Sequence, residues 1–148
     1  MIKFKIVTPD GIMYDDAVDQ VTIPTAMGQI TVLPNHIPLI SVLAAGELVI
    51  KKDDELTNLA VSSGVLEVRP GSELYIVADT AERAEQIDIE RAEVARKRAD
   101  ELMKQEHVAD VDYARIQAKL EKELARIRVG KKYRKPTPGL IIKSETTE

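Results

Sequence analysis

The chain has 148 residues, a formal net charge of -4, an aromatic content of 3% and no cysteine. That length holds one good core, or one small domain with an appendage. The acidic balance argues against a general nucleic-acid binder, and the missing cysteines exclude a disulfide framework, a thiolate nucleophile and a zinc knuckle.

In chain order, the first half reads as short strands: Ile2 to Val7, Gln20 to Ile23, Gln29 to Leu33, Leu39 to Leu43, Glu47 to Lys51, Thr57 to Ser62, Val65 to Arg69 and Glu73 to Val77. Turn chemistry separates them at Thr8 to Gly11, Ala26 to Gly28, Ala45 to Gly46, Lys52 to Asp54, Ser63 to Gly64 and Pro70 to Gly71. Such spacing predicts a compact β-sandwich or flattened barrel. Phe4, Ile6, Val21, Ile23, Ile30, Val32, Leu48, Ile50, Leu59, Val61, Leu66, Val68, Leu74 and Ile76 keep period two and are its expected core. The segment GQITVLPNHIPLI, positions 28–40, drives one strand into a corner. Pro34 and Pro38 lack a backbone donor and fix φ, so a loop is forced through Asn35, His36 and Ile37.

Every glycine and proline except Gly130, Pro136, Pro138 and Gly139 lies at or before Gly71, and the periodicity changes after that point. Ile89, Ala92, Ala95, Ala99 and Leu102 recur at spacings of three and four, as do Tyr113, Ile116, Leu120, Leu124 and Ile127. The expectation is an αα-hairpin from Asp88 to Glu106 and from Asp112 to Val129, with Asp112 or Asp110 capping the second helix and Gly130 stopping it. The basic run Lys131, Lys132, Arg134 and Lys135 then reads as a solvated tail. Large aliphatic side chains return about 1.5 to 3 kcal/mol each on burial, against about 1 to 2 kcal/mol for ordering a residue's backbone. Alanines return far less, so a first helix that offers mainly alanines predicts a hairpin with at least two arrangements.

Chemistry is sparse. His36 and His107 lie in different halves without a carboxylate cluster at ligand spacing, so no metal site is expected. Ser62 and Ser63 lack the glycine spacing of a nucleophile elbow, and Ala125 stands where a phosphate loop ending at Gly130 and Lys131 needs its first glycine. No run of about 18 apolar residues and no basic-then-apolar leader occurs, so neither a membrane helix nor a signal peptide is expected. One constellation remains. Ile87, Asp88, Arg91 and Ala92 open the first helix, Arg98 follows two turns later, and Arg126 sits on the second helix. Asp88 and Arg91 can form a helix-surface pair. Alternatively the arginines converge on a triphosphate, which guanidinium forks match bidentately, with Asp88 or Glu82 suited to an adenine amino group or a ribose hydroxyl.

Four stretches in register resemble one family: IVTPDG with Tyr14 shortly after, GQITVLPNHIPLI, SSGVLEVRPG followed by VADTAERA, and IDIERA resumed at DVDYARIQA. The chain is similar to the epsilon subunit of the bacterial and plastid F-type ATP synthase, whose mitochondrial counterpart is called delta. The resemblance implies an all-β sandwich of about ten strands over residues 1–84 and a regulatory helical hairpin over 85–130; residues 131–148 exceed the usual end of the family and are expected to form a disordered tail. It implies a non-catalytic rotor subunit of the central stalk, peripheral on the cytoplasmic face of the membrane, which couples proton translocation to ATP synthesis. Its implied partners are the gamma subunit and the c-subunit ring, with the catalytic alpha and beta subunits reached by an extended hairpin that inhibits ATP hydrolysis. No nucleic acid is involved and no cofactor is required, but ATP is a possible regulatory ligand.

Carried over by motif, the nucleotide-binding positions are Glu82, Ile87, Asp88, Arg91, Ala92, Arg98, Lys122 and Arg126, and the subunit-contact positions are Gln29, Pro34 and His36. Lys122 departs from the arginine of nucleotide-binding members, keeping the charge and losing the fork. Gln29 stands where relatives often carry an acid, and Asn35 stands where many have glycine, a position that asparagine tolerates in the left-handed conformation. The competing reading is a free-standing nucleotide-sensing module that binds ATP on the hairpin.

Overall fold

Ten strands precede two helices in the computed structural model, which describes residues 1–105 and 109–134 and, within that range, not the side chains of residues 110 and 111. The strands are β1 (Ile2–Thr8), β2 (Gly11–Val18), β3 (Gln20–Thr25), β4 (Gly28–Val32), β5 (Leu39–Leu43), β6 (Gly46–Lys52), β7 (Glu55–Val61), β8 (Gly64–Arg69), β9 (Glu73–Ala78) and β10 (Ala81–Arg83). They form one sheet in the order β10-β7-β6-β3-β5-β8-β9-β1-β2, with β4 added on β3. All pairings are antiparallel except β1 with β9, which runs parallel from Lys3↔Glu73 to Val7↔Val77. The sheet curls so that β2 meets β6: Asp19 N donates to Lys51 O at 2.9 Å, and Lys52 Nζ donates to Asp16. Among the described residues no helix is long and apolar enough to cross a membrane.

Alternation of side chains places one face of each strand inside. Phe4, Ile6, Val21, Ile23, Leu48, Ile50, Leu66, Leu74 and Ile76 are at most 1% exposed, and of the expected core only Ile30 is merely packed against it. Ile2, Val18, Leu43, Ala78 and Ala81 complete the interior.

Two strands lie outside the eight expected from the sequence. β2 shows little burial until Val18 because Tyr14, Asp15 and Asp16 face outward or sit half-buried, so its residues carry no apolar alternation. β10 has only three residues and pairs with β7 through Ala81↔Val61 and Arg83↔Leu59. The proline corner behaves as its chemistry demands: β4 ends at Val32, β5 resumes at Leu39, and Asn35 takes a φ of 63°. Asn35 N donates to Ser72 Oγ at 2.8 Å, which ties the corner to the β8–β9 turn. At Gly64 an added Cβ would lie 2.0 Å from the Val77 carbonyl oxygen, so close strand approach, rather than turn freedom, requires glycine there.

A single 3-10 turn, Ala84–Gln86, leads to α1 (Ile89–Met103) and α2 (Asp110–Lys132). Both helices depart from the expected limits. The N-cap of α2 is Ala109, without a side-chain hydrogen bond, and Asp112 lies inside its first turn. Gly130 does not stop α2. It is an interior helical residue whose missing Cβ admits Ile89 Cγ1 and Ile87 Cγ2, which would stand 2.9 and 3.1 Å from such an atom. Lys131 and Lys132 are likewise the last turn of α2 rather than a tail, because Glu93 and Glu47 hold their ammonium groups at 3.1 and 2.9 Å. Residues 135–148, most of the expected tail, lie outside the described residues, as does His107.

Candidate functional site

The hairpin leans on the sandwich through α2, whose strand partners are β6 and β7, while α1 packs chiefly on α2. Val129, 1% exposed, meets Ala60 of β7 and Ala84, with Ile87 and Tyr133 beside them. The helices touch through small side chains: Ala92 is fully buried, and Ala99 and Ala125 nearly so.

Between α1, α2 and the end of the sandwich lies a cleft of about 840 Å³, within the usual range of small-molecule sites. Arg91 and Arg98 enter it from α1, and Arg115, Lys119, Lys122 and Arg126 from α2. Asp10, Glu82 and Glu123 are the carboxylates among its lining residues, with Thr8 and Thr80 at the sandwich wall. Six cations against three acids leave a formal positive excess in a chain of net charge -4, the arrangement expected for an anionic ligand.

Arg126 is the pivot. Its Nε donates to Glu82 Oε2 at 2.8 Å and its Nη1 to Glu123 Oε2 at 2.9 Å, which fastens α2 to β10. Burial alone would lower its pKa, but the hydrogen bond and charge of Glu82, joined by Glu123, outweigh it and raise the guanidinium above its ordinary value. Thr80 N and Oγ1 both donate to the buried Ser62 Oγ, at 2.9 and 2.8 Å, and set the sandwich wall of the cleft.

Of the nucleotide positions carried over from the sequence, Glu82, Arg91, Arg98, Lys122 and Arg126 share this cleft. Ile87 and Asp88 instead line a second groove of about 420 Å³ with Ile89, Gly130 and Tyr133. Asp88 is the N-cap of α1, accepting the Arg91 backbone N-H at 3.0 Å, and its carboxylate forms no ion pair with the Arg91 guanidinium. Ala92 is buried at 0% exposure. Arg115, Lys119 and Glu123 escaped the sequence reading, yet Arg115, Lys119, Lys122 and Arg126 are spaced four, three and four, which marks one helical face.

The positions assigned to subunit contact lie on the β3–β4 hairpin and the corner that follows. Gln29 is exposed opposite Pro24, Pro34 is exposed, and His36 is half-buried with its Nδ1 2.7 Å from Ile37 O. They belong to an exposed rim that also carries Met27, Leu33 and Ile37 at 94%, 51% and 75% exposure. Across the outer face a register row of Val42, Val65, Val77, Val7 and Ile12 spans five strands. Four of them, Val42, Val65, Val77 and Ile12, are 49% to 62% exposed, an apolar band of the kind that marks a protein interface.

Comparison with known proteins agrees with this division. Residues 1–84 match the beta-sandwich domain of the ATP synthase delta/epsilon chain, and residues 85–131 match its long alpha-helix domain. The chain is 42% identical over 134 residues to an ATP synthase epsilon chain of Dehalococcoides mccartyi, covering 90% of this chain and 95% of that one. It is 40% identical over 130 residues to the counterpart of Bacillus licheniformis, covering 88% and 98%. Its fold is similar to a chain in the mitochondrial ATP synthase of Euglena gracilis, with a TM-score of 0.72 and 21% identity over 84% of this chain and 78% of that one.

Proposed function

Because the chain belongs to the ATP synthase delta/epsilon family, we propose that it is the non-catalytic central-stalk subunit of an F-type ATP synthase, coupling proton translocation to ATP synthesis. The observation that carries this reading is the division of labour in the fold. A sandwich with a large, fully buried aliphatic core presents an apolar row and an apolar rim, and a hairpin rests on it through one helix. A stiff body with exposed docking surfaces transmits torque.

In this reading the apolar row seats the gamma subunit, and the rim near Gln29, Pro34 and His36 faces the c-subunit ring, which keeps the protein peripheral at the membrane. The hairpin is the brake. Docked, it leaves the catalytic subunits free; extended, it carries the basic face of α2 towards the alpha and beta subunits and blocks hydrolysis. ATP in the cationic cleft holds the docked state, since a ligand shifts such an equilibrium only by its differential affinity for the two states. Lys122 supplies charge without a bidentate fork, so binding is weaker than an arginine would give.

The test is reconstitution of the synthase with the full chain and with a chain ending at Ile87. Both should co-purify with gamma, and the shortened form should hydrolyse ATP faster. Failure of either form to join gamma would remove the rotor role, and equal hydrolysis rates would remove the brake. Calorimetric titration of ATP into the isolated subunit tests the cleft: Arg98→Ala should abolish the heat and Lys122→Arg should tighten binding.

A further inference from the structure

The cationic cleft is not the only place where α2 is fastened. At its C-terminal end, beside the Val129 contact, Glu47 of β6 takes two donors from consecutive residues: Lys132 Nζ reaches Oε2 at 2.9 Å and the Tyr133 hydroxyl donates to Oε1. The Lys132 ammonium also stands 5.2 Å from the centroid of the Tyr133 ring, so the three groups form one unit. Glu47 pairs with Ala60 across the strands, and Ala60 is the residue on which Val129 sits, so the carboxylate lies at the margin of the apolar seam. Its side chain is 21% exposed, well sheltered for a surface acid.

We propose that Glu47, Lys132 and Tyr133 form a catch that holds the hairpin docked without nucleotide and sets its resting population. The proposal rests on the reading of the hairpin as a moving element and adds a control separate from the cleft. Arg126 and Lys132 are six residues apart, about 9 Å along the helix axis, and they hold different carboxylates on different strands, Glu82 of β10 and Glu47 of β6. Breaking one leaves the other's geometry in place. A carboxylate accepting two hydrogen bonds, one from a cation, is stronger than a single exposed pair. The ammonium sits at the C-terminal end of α2, where the helix dipole favours it. Undocking frees both donors and returns Glu47 to water, so the catch works against extension and must be released before the brake engages.

The chain has no cysteine, so Ser63→Cys and Lys104→Cys, both at exposed positions, can carry a spin-label pair without background. The distance distribution of the full-length subunit reads the docked and extended fractions. Glu47→Gln should raise the ratio of extended to docked by about three- to tenfold without nucleotide. Lys132→Met with Tyr133→Phe should do the same, and combining all three should add little, because they break one unit. Val129→Asp, which breaks the apolar seam, is the control for movement. A lengthened distance in Val129→Asp with no change in Glu47→Gln or in the Lys132 and Tyr133 pair overturns the catch and leaves the moving hairpin intact. No change in any variant removes the movement and the catch together. Lengthening in Glu47→Gln that added ATP does not reverse upholds the catch and counts against the nucleotide cleft.

Discussion

The sandwich and the hairpin are built from different materials. In the first, Ile6, Val18, Val21, Ile23, Leu48, Leu66 and Leu74 are completely buried, and each returns about 1.5 to 3 kcal/mol. In the second, Ile127 and Val129 are the large apolar side chains buried among the described residues, the others being the alanines Ala92, Ala99 and Ala125, while Val94, Leu102, Tyr113 and Leu124 remain 42% to 54% exposed. What the alanines leave unsupplied is made up by ion pairs at Glu82, Glu93, Glu123 and Glu47. Aliphatic burial is not subject to electrostatic screening, whereas exposed carboxylate contacts weaken as ionic strength rises. The sandwich and the hairpin are thus distinguished by the kind of force that holds them.

The sharpest way to break this contrast is to cut into the sandwich core. Leu66→Ala should cost about 2 to 5 kcal/mol in urea unfolding and shift the single transition of the β domain. A smaller effect is expected at Gly130. Alanine there normally gains about 1 kcal/mol in helix propensity, but its Cβ would press on Ile89 and Ile87. The gain should be reversed to a loss of about 1 kcal/mol, read as faster hydrogen exchange in the first turn of α1 with the β core unchanged. Protection equal to that of the native chain would show that the Ile87 and Ile89 side chains give way to the added methyl group at no cost.

Asn58 sharpens the comparison from the other side. Its Oδ1 is buried with no hydrogen-bond partner among the described residues, on the same outer face of β7 as Ala60. Asn58→Val should stabilise the protein by about 1 kcal/mol, measurable as a higher urea midpoint at unchanged slope.

The smallest effect is on pH. The Glu47 hydrogen bond, with that of Tyr133, holds the Lys132 ammonium above its ordinary 10.5, and burial followed by the Glu47 hydrogen bond raises the Tyr133 hydroxyl above 10.0. Both folded values exceed the unfolded ones. The stabilisation is therefore complete below the ordinary values and is lost as pH rises through the raised ones. The hairpin should open at alkaline pH before the sandwich melts, seen as a lengthened label distance while the β-sheet circular dichroism is unchanged. Simultaneous loss of both signals would place the catch inside the sandwich's own cooperative unit.

How far the sequence carries depends on the kind of signal. Period two in Leu48 and Ile50, or Leu74 and Ile76, leaves little choice of face, and the two prolines of the corner leave little choice of path. β2 was hidden because a strand whose side chains mostly face water carries no such pattern, and β10 because three residues cannot show one. The arginines of the cleft were partly legible from Ile87, Asp88, Arg91 and Ala92. Asp88 proved to cap its helix, a role its place before Ile89 also allowed. Gly130 was misread because a glycine near a helix end signals both a stop and a close helix contact, and only the neighbouring chain decides between them. Glu47 gave no warning, for its partners lie 85 and 86 positions away.

The parallel pairing of β1 with β9 has a consequence for synthesis. The N-terminal strand is an inner strand, flanked by β2 on one side and by a strand made some seventy residues later on the other. Pairing across so long a loop is slow and leaves β1 with one open edge until Ala78 has been translated. From then on the sheet can close, and the hairpin, whose own contacts are local, condenses last on a finished surface. A nascent chain therefore passes through its most aggregation-prone stage before its helices dock, and the exposure ends when β9 arrives.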